Sequence, residues 1–493
     1  MVEGTGLENR QAMSLVGSNP TLSATVRWLR VHWGTGSQVK NRTIKWLLGL
    51  AWVTAGLYFA DKGATYYRQG RTLPPSVINT IPEMPPHRAG DRVLVFAPHP
   101  DDEALGCAGV IQQAVQAGAQ VWVVYMTSGD GFRLAVERQF RQSHPSPELH
   151  IQFGKMRQQE ARRAMRLLGL ADWRIIFLGY PDRGLYPLWS SNWTPSNALR
   201  SYYTDTDTNP YRDTLHPGVT YCGQNVLRDV EQVLRRTVPT HVYVTHPADD
   251  HPDHAATALF VMSALARLRM QGIGFAQRVV LRHYMVHCGD WPQPQGLHED
   301  EPLTPPPAFF NIGLHWVKLN LTPPQQVRKM NAIKAHTSQM LMMSRFLQSF
   351  VRQNELFIEQ PVVLPIEASL GVVWEEPDEE DILRNLQAPG DFSAAELRME
   401  NGQAVFHINT RSKPRPGFSY SCTVHALLPN GDVTTTLLRT KPGRQSADAR
   451  VDEDGVTFRL PALPSGSVVV LQAQSRFAGL AVDKTIGHVV RLP

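Results

Sequence analysis

Val93, Leu94, Val95 and Phe96 form an unbroken apolar run that stops at Pro98, His99, Pro100, Asp101, Asp102 and Glu103. A short continuous run of β-formers reads as a strand buried on both faces of a parallel sheet. Ala104, Leu105, Ala108, Val110, Ile111, Ala114 and Val115 then recur with helical spacing, so the histidine and the acids fall in a strand-to-helix turn. The alternation continues with a strand at 121–126, a helix over 155–170, a strand at 174–178, a helix near 226–236, a strand at 241–245 and a helix from about 254 to 270. Strands alternating with helices predict an α/β fold over residues 91–365, a Rossmann-like, mostly parallel sheet flanked by helices. The stretch 181–219 is long, polar and aromatic, and loops of that length are usually functional or mobile.

From about Gly371 the texture changes. Strand candidates at 405–408, 418–427, 433–438, 456–460 and 468–472 are separated by turn signals, and Asn430 with Gly431 joins two of them as a hairpin. Residues 371–493 therefore read as a C-terminal all-β, sandwich-like domain. At the other end, residues 1–43 read as a disordered, cytoplasmic lead-in. Its run at 16–24 resembles a peptide read through from a transfer-RNA gene, which points to a start set too far upstream.

Residues 44–60 are nearly uncharged and carry Trp46, Trp52, Tyr58 and Phe59, so they read as an N-terminal transmembrane helix. The segment approaches the roughly 20 residues a spanning helix needs. Arg27, Arg30, Lys40 and Arg42 precede it and Lys45 lies at its start, against Lys62, Arg68 and Arg71 with Asp61 after it. This bias predicts a single-pass membrane protein with its catalytic domain on the extracytoplasmic side. Residues 61–90, with Pro74, Pro75, Pro82, Pro85 and Pro86, read as a stiff linker.

A length of 493 residues exceeds one ordinary core and fits two globular domains plus an anchor. The formal charge of +5 is small for that length, and no basic and aromatic recognition motif occurs, so nucleic acid is not an expected partner. Cys107, Cys222, Cys288 and Cys422 are far apart and form no CxxC pair, which excludes a structural zinc knot.

The chemistry gathers at two strand ends. A second cluster, Thr245, His246, Pro247, Ala248, Asp249, Asp250, His251, Pro252, Asp253 and His254, follows the later strand as the first follows the early one. Two such ends can meet in one crevice of a parallel sheet. A hydrolytic zinc site takes three protein ligands from His and carboxylate, and His99, Asp102 and His254 supply that set; Fe2+ fits the same donors. With Asp102 committed to metal, Asp101 can take a proton from the attacking water, and His251 can stabilise the oxyanion or donate a proton. Asp249 and Asp250 read as a solvated turn, and His246 as a loop-packing residue.

The motifs Pro98 to Glu103 and His251, Pro252, Asp253, His254 resemble the two signatures of LmbE-like, PIG-L-type deacetylases. Arg157 with Glu160, Leu178 through Asp182, and Lys334 through Gln339 are similar to further family segments in the same order, so the resemblance covers about residues 92–345. It implies a zinc-dependent hydrolase that removes N-acetyl groups from N-acetylglucosamine-containing glycans or glycolipids. In that pattern His99, Asp102 and His254 bind zinc, Asp101 is the base, His251 polarises the carbonyl, and Arg157 and Asp182 hold the sugar. Arg183 stands where relatives often carry Gly, and Asp249 where mycothiol-pathway members use a tyrosine. Two alternatives remain open: a zinc amidase acting on a non-sugar amide or thiol conjugate, and a membrane-tethered glycan-binding protein with an idle hydrolase domain.

Overall fold

A computed structural model describes residues 73–366, 371–377, 387–444 and 446–493. The expected lead-in and membrane segment lie outside these residues. Among the described residues no helix is long and apolar enough to cross a membrane.

The α/β part runs β1 (Arg92–Ala97), α1 (Asp102–Gly106), α2 (Ala108–Gln116), β2 (Gln120–Thr127), α3 (Arg133–Phe140), α4 (Pro147–Leu167), β3 (Ile175–Tyr180), α5 (Leu185–Ser190), α6 (Gly223–Thr237), β4 (His241–Thr245), α7 (Pro252–Met270), α8 (Gly274–Arg278), β5 (Val280–Tyr284), α9 (Pro307–Phe310), β6 (His315–Asn320), α10 (Pro323–Ala335), α11 (Thr337–Gln348) and β7 (Asn354–Glu359). Its seven strands are ordered β3-β2-β1-β4-β5-β7-β6. The first five are parallel, and β7 runs antiparallel to both of its neighbours.

The apolar runs are continuous because each strand feeds two cores. Val93, Val95 and Ala97 of β1 join Val121, Val123 and Tyr125 of β2 on one face. Leu94 and Phe96 join Trp122, Val124 and Met126 on the other. Helices cover both faces, so neither set of side chains meets water. The order reverses between β1 and β4, since β2 follows β1 on one side while β4 lies on the other. That switch point leaves a crevice beyond the strand carboxyl ends, into which the loops after Ala97 and Thr245 both open.

The segment before β1, expected to be a stiff linker, is docked on the α/β core where it is described. Ile81 and Met84 are buried in the main core. Met84 N–H donates to Lys318 O at 2.9 Å, and Lys318 N–H to Pro82 O at 2.9 Å, so the segment lines the free edge of β6. Proline suits such an edge because it has no N–H to leave unpaired.

The C-terminal β-rich region comprises β8 (Leu364–Pro365), β9 (Val372–Glu375), β10 (Phe392–Glu400), β11 (Gln403–Thr410), β12 (Phe418–Leu427), β13 (Val433–Thr440), β14 (Ala449–Val451), β15 (Gly455–Arg459), β16 (Val468–Phe477), β17 (Leu480–Lys484) and β18 (His488–Arg491). One sheet is ordered β14-β15-β11-β10-β9 and the other β13-β12-β16-β18-β8, with β17 paired to β16. Phe406, Ile408 and Phe458 of the first sheet pack with Val424, Leu471 and Val490 of the second. The opposite face of the second sheet gives Leu427, Val468, Val470 and Val489 to the core that also holds α7. All four cysteines are free and buried.

His425 is the polar pin of this contact. Its ring centroid lies 3.8 Å from that of Trp189, and Nε2 is 2.7 Å from Trp189 O. Burial pushes its pKa down to about 3, so the ring is neutral and Nε2–H donates. His425→Ala should destabilise the chain by about 2 kcal/mol or more through lost packing and an unpaired carbonyl. A thermal melt should show a lowered transition, and an unchanged one would contradict the role given to the ring.

Candidate metal centre

The turn after β1 and the turn after β4 bring three donor atoms together. His99 Nδ1 lies 3.2 Å from Asp102 Oδ2, His254 Nε2 lies 3.2 Å from His99 Nδ1, and His254 Nε2 lies 3.2 Å from Asp102 Oδ2. Donors held on a tetrahedral zinc at about 2.0–2.2 Å would stand about 3.3–3.6 Å apart. This near-equilateral triangle therefore fits a single zinc ion, and its N and O donors also suit Fe2+.

The far side of each imidazole is held by carboxylate. His254 Nδ1 is 3.2 Å from Asp249 Oδ2. His99 Nε2 is 3.3 Å from Asp253 Oδ2 and 3.3 Å from Asp182 Oδ1. Such partners fix the tautomer, leaving the opposite nitrogen's lone pair aimed at the triangle. Asp249 is anchored in turn by the N–H groups of Val286 and His287, each at 3.0 Å, and accepts from His251 N–H at 3.0 Å. It is fully buried, not the solvated turn residue expected from sequence. Asp253 accepts from the N–H groups of Arg183 and Leu185, which ties the loop after β3 to α7. Arg183 has φ 62°, the left-handed conformation that glycine enters at no steric cost.

Burial opposes charge on both imidazoles, yet the surrounding carboxylates prevail. Asp182, Asp102 and Asp253 raise the His99 pKa well above its usual value. Asp102 and Asp249 raise His254 to about 9. The carboxylates therefore demand positive charge at this point, which protons supply when no cation does.

Asp101 stands beside the triangle in a strained backbone conformation, φ 141°. Strain of this kind costs on the order of 1–3 kcal/mol and persists only where neighbours enforce it. Here Glu103 Oε2 accepts the Asp101 N–H at 3.1 Å, and Glu103 Oε1 lies 3.3 Å from His336 Nε2. Burial pushes the Asp101 carboxyl up to about 7, with Arg157 opposing and Asp102 reinforcing the shift.

Arg157, expected to hold a sugar, is buried with its guanidinium turned onto protein. It donates to Pro100 O at 2.6 Å, Gly129 O at 3.0 Å and Asp101 Oδ1 at 3.2 Å. Asp182, expected in the same role, places one oxygen by His99 and accepts the Gly131 N–H on the other at 2.8 Å. Both residues brace the centre. Glu160, one turn along α4, accepts from Thr337 Oγ1, Ser338 N–H and Ser338 Oγ, so α4 also fixes the start of α11 behind His336.

His251 caps α7, its Nδ1 accepting the Asp253 N–H at 3.2 Å. Burial and the imidazoles of His99, His254 and His287 hold its pKa well below the usual value. The neutral ring consequently presents Nε2–H as a donor, with its centroid 4.7 Å from that of His99. Other residues here escaped the sequence reading. His287 has its centroid 4.8 Å from that of His254, and Asp130, in the loop after β2, accepts from Tyr211 Oη at 2.5 Å. Their only signal was position after a strand.

A buried His/Asp centre at the switch point of a Rossmann-like sheet is the arrangement of a metal-dependent hydrolase. Residues 94–265 match the family model described as PIG-L, GlcNAc-PI de-N-acetylase, and form a PIG-L/LmbE-like deacetylase family domain. A 1D-myo-inositol 2-acetamido-2-deoxy-alpha-D-glucopyranoside deacetylase of Geodermatophilus obscurus is 36% identical over 99 residues, 19% of this chain and 30% of that protein. The match thus spans less than a third of that relative's length. Among solved structures, N,N'-diacetylchitobiose deacetylase from Pyrococcus horikoshii is 19% identical over 55% of this chain and 84% of its own, with a TM-score of 0.34. Teicoplanin deacetylase in its zinc-inhibited form is 17% identical over 54% of this chain and 97% of its own, with a TM-score of 0.35.

Zinc requires neutral imidazoles, whereas the raised pKa of His254 keeps it protonated below about 9. Zinc affinity measured against a competing chelator should therefore rise with pH from about 6 towards about 9, with protons released on binding. Asp249→Asn should weaken binding by about 10–100-fold. A pH-independent affinity, or an unaltered one in the variant, would contradict the assignment.

Proposed function

We propose that the α/β domain is a zinc-dependent N-deacetylase that removes the acetyl group from an N-acetylglucosamine-containing glycan or glycolipid. The observation that carries the reading is the triangle of His99 Nδ1, Asp102 Oδ2 and His254 Nε2 with a carboxylate of raised pKa, Asp101, beside it. The family model over residues 94–265 and the named activity of the curated relative support the amino-sugar substrate.

His99, Asp102 and His254 would hold a zinc ion, which when bound would supply Lewis acidity to a water and to the amide carbonyl. Asp101 accepts a proton from the attacking water. Its carboxyl, held near 7 by burial, is basic enough for this and still ionised in part at neutral pH. Arg157 and Glu103 keep the carboxylate in place through its side chain and its backbone N–H. The Nε2–H of His251 donates to the oxygen on which negative charge develops. Asp101 then delivers its proton to the departing amine, leaving acetate and a free amino sugar.

We also propose that residues 44–60 tether the protein to a membrane in a single pass, with the catalytic domain on the extracytoplasmic side. The apolar, aromatic composition and the preceding basic residues support this reading.

Acetate release from a panel of N-acetylglucosamine conjugates and non-sugar acyl amides tests the substrate class. The amino sugars should be turned over, and Asp101→Ala should lower the rate by about 10²–10⁴-fold while retaining zinc. Turnover confined to the non-sugar amides, or full activity in Asp101→Ala, would overturn the reading.

A further inference from the structure

We propose that the opposite end of the sheet holds a second divalent transition-metal site, formed by His87, Asp91 and His241. One donor atom from each residue lies within 4.8 Å of the other two. The site is built across two parts of the chain. His87 and Asp91 end the docked segment before β1, and His241 opens β4, whose far end leads to the catalytic loop. The length of β4 separates the two centres by roughly 13 Å.

The hydrogen bonds around the cluster select ligating tautomers. His87 Nε2 is 3.0 Å from Tyr243 Oη, which also accepts from Arg282 Nη1 at 3.1 Å and has Met84 Sδ at 4.0 Å for its own proton. The phenol oxygen thus acts as an acceptor towards His87, whose Nε2 carries the proton, and Nδ1 keeps its lone pair. That Nδ1 is buried and has no hydrogen-bond partner, although Asp91 Oδ2 lies 3.4 Å away. His87 itself is 7% exposed.

On the other ring, His241 Nδ1 is 2.8 Å from Thr240 Oγ1. Thr240 Oγ1 accepts the Arg92 N–H at 3.0 Å and lies 3.3 Å from Arg92 O, to which its own proton can go. His241 Nδ1–H therefore donates to it and Nε2 is left available. The two rings meet edge to face at 4.9 Å.

A simple His–Asp ion pair does not account for the arrangement. At 3.4 Å from Asp91 Oδ2, His87 Nδ1 makes no hydrogen bond to it, and that oxygen accepts the Arg88 N–H at 2.8 Å instead. The Arg282 guanidinium is paired with Glu359 at 2.6 Å. Two imidazoles and one carboxylate favour Zn2+, Ni2+ or Cu2+ over Mg2+ or Ca2+. An ion there would clip the segment preceding β1 to the central sheet.

The test is zinc stoichiometry in the full chain, stripped with chelator and reloaded with Zn2+. Wild type should hold two ions, His87→Gln one, His254→Ala one, and the double variant none; Asp91→Asn should weaken the second ion selectively. His254→Ala isolates the new site from the catalytic one, so failure of either assignment is seen separately. A wild-type chain that binds a single ion, lost in His254→Ala, would overturn the proposal. So would two ions retained in both His87→Gln and Asp91→Asn.

Discussion

The interaction on which the structure depends is the grip of carboxylates on the outer nitrogens of two buried imidazoles. Asp249 holds His254, while Asp253 and Asp182 hold His99. An imidazole left free to rotate would aim its lone pair anywhere; one hydrogen-bonded on its far side aims it at a single point. The residues are 155 positions apart, and the sheet order brings them together by placing β1 beside β4. The fold's contribution is thus directional as well as spatial, since both strand ends open on the same crevice.

Buried carboxylates are costly unless satisfied, and their satisfaction links distant parts of the chain. Asp249 draws its N–H donors from the residues after β5, and its own carbonyl is met by Lys484 Nζ from β17. Gln472 Nε2 of β16 reaches Pro247 O at 3.4 Å. The second C-terminal sheet therefore contacts the loop that carries the second half of the site, besides packing on α7. Asp101 belongs to the same network from the other side, because Arg157 on α4 ties it to Pro100 and Gly129.

Much of the fold was legible because β1 to β4 are buried on both faces and so appear as unbroken apolar runs. The strands β5 and β6 carry no such sign, and in β7 only Leu356, Phe357 and Ile358 run together between two glutamates. Arg282 and His283 sit inside β5, where Arg282 donates to Glu359 and His283 Nδ1–H donates to Thr245 O, and that compensation is invisible to hydrophobic periodicity. The segment 73–90 read as a linker from its prolines, yet the same prolines suit the edge of β6 that it covers. At the site, the motif residues His99, Asp102 and His254 do converge. Asp249 was misread because its partners, the N–H groups of Val286 and His287, lie 37 and 38 residues away and leave no mark in local spacing. Arg157 and Asp182 could be located from the family pattern, but whether they face a ligand or the protein depends on side-chain direction, which a motif does not record.

The central claim is that two strand ends make one zinc centre. An anomalous difference map recorded at the zinc absorption edge from crystals of the zinc-loaded protein tests it most directly. The account predicts a peak about 2.0–2.2 Å from each of His99 Nδ1, Asp102 Oδ2 and His254 Nε2. No peak within the triangle, or one bound by His251 in place of Asp102, would contradict it.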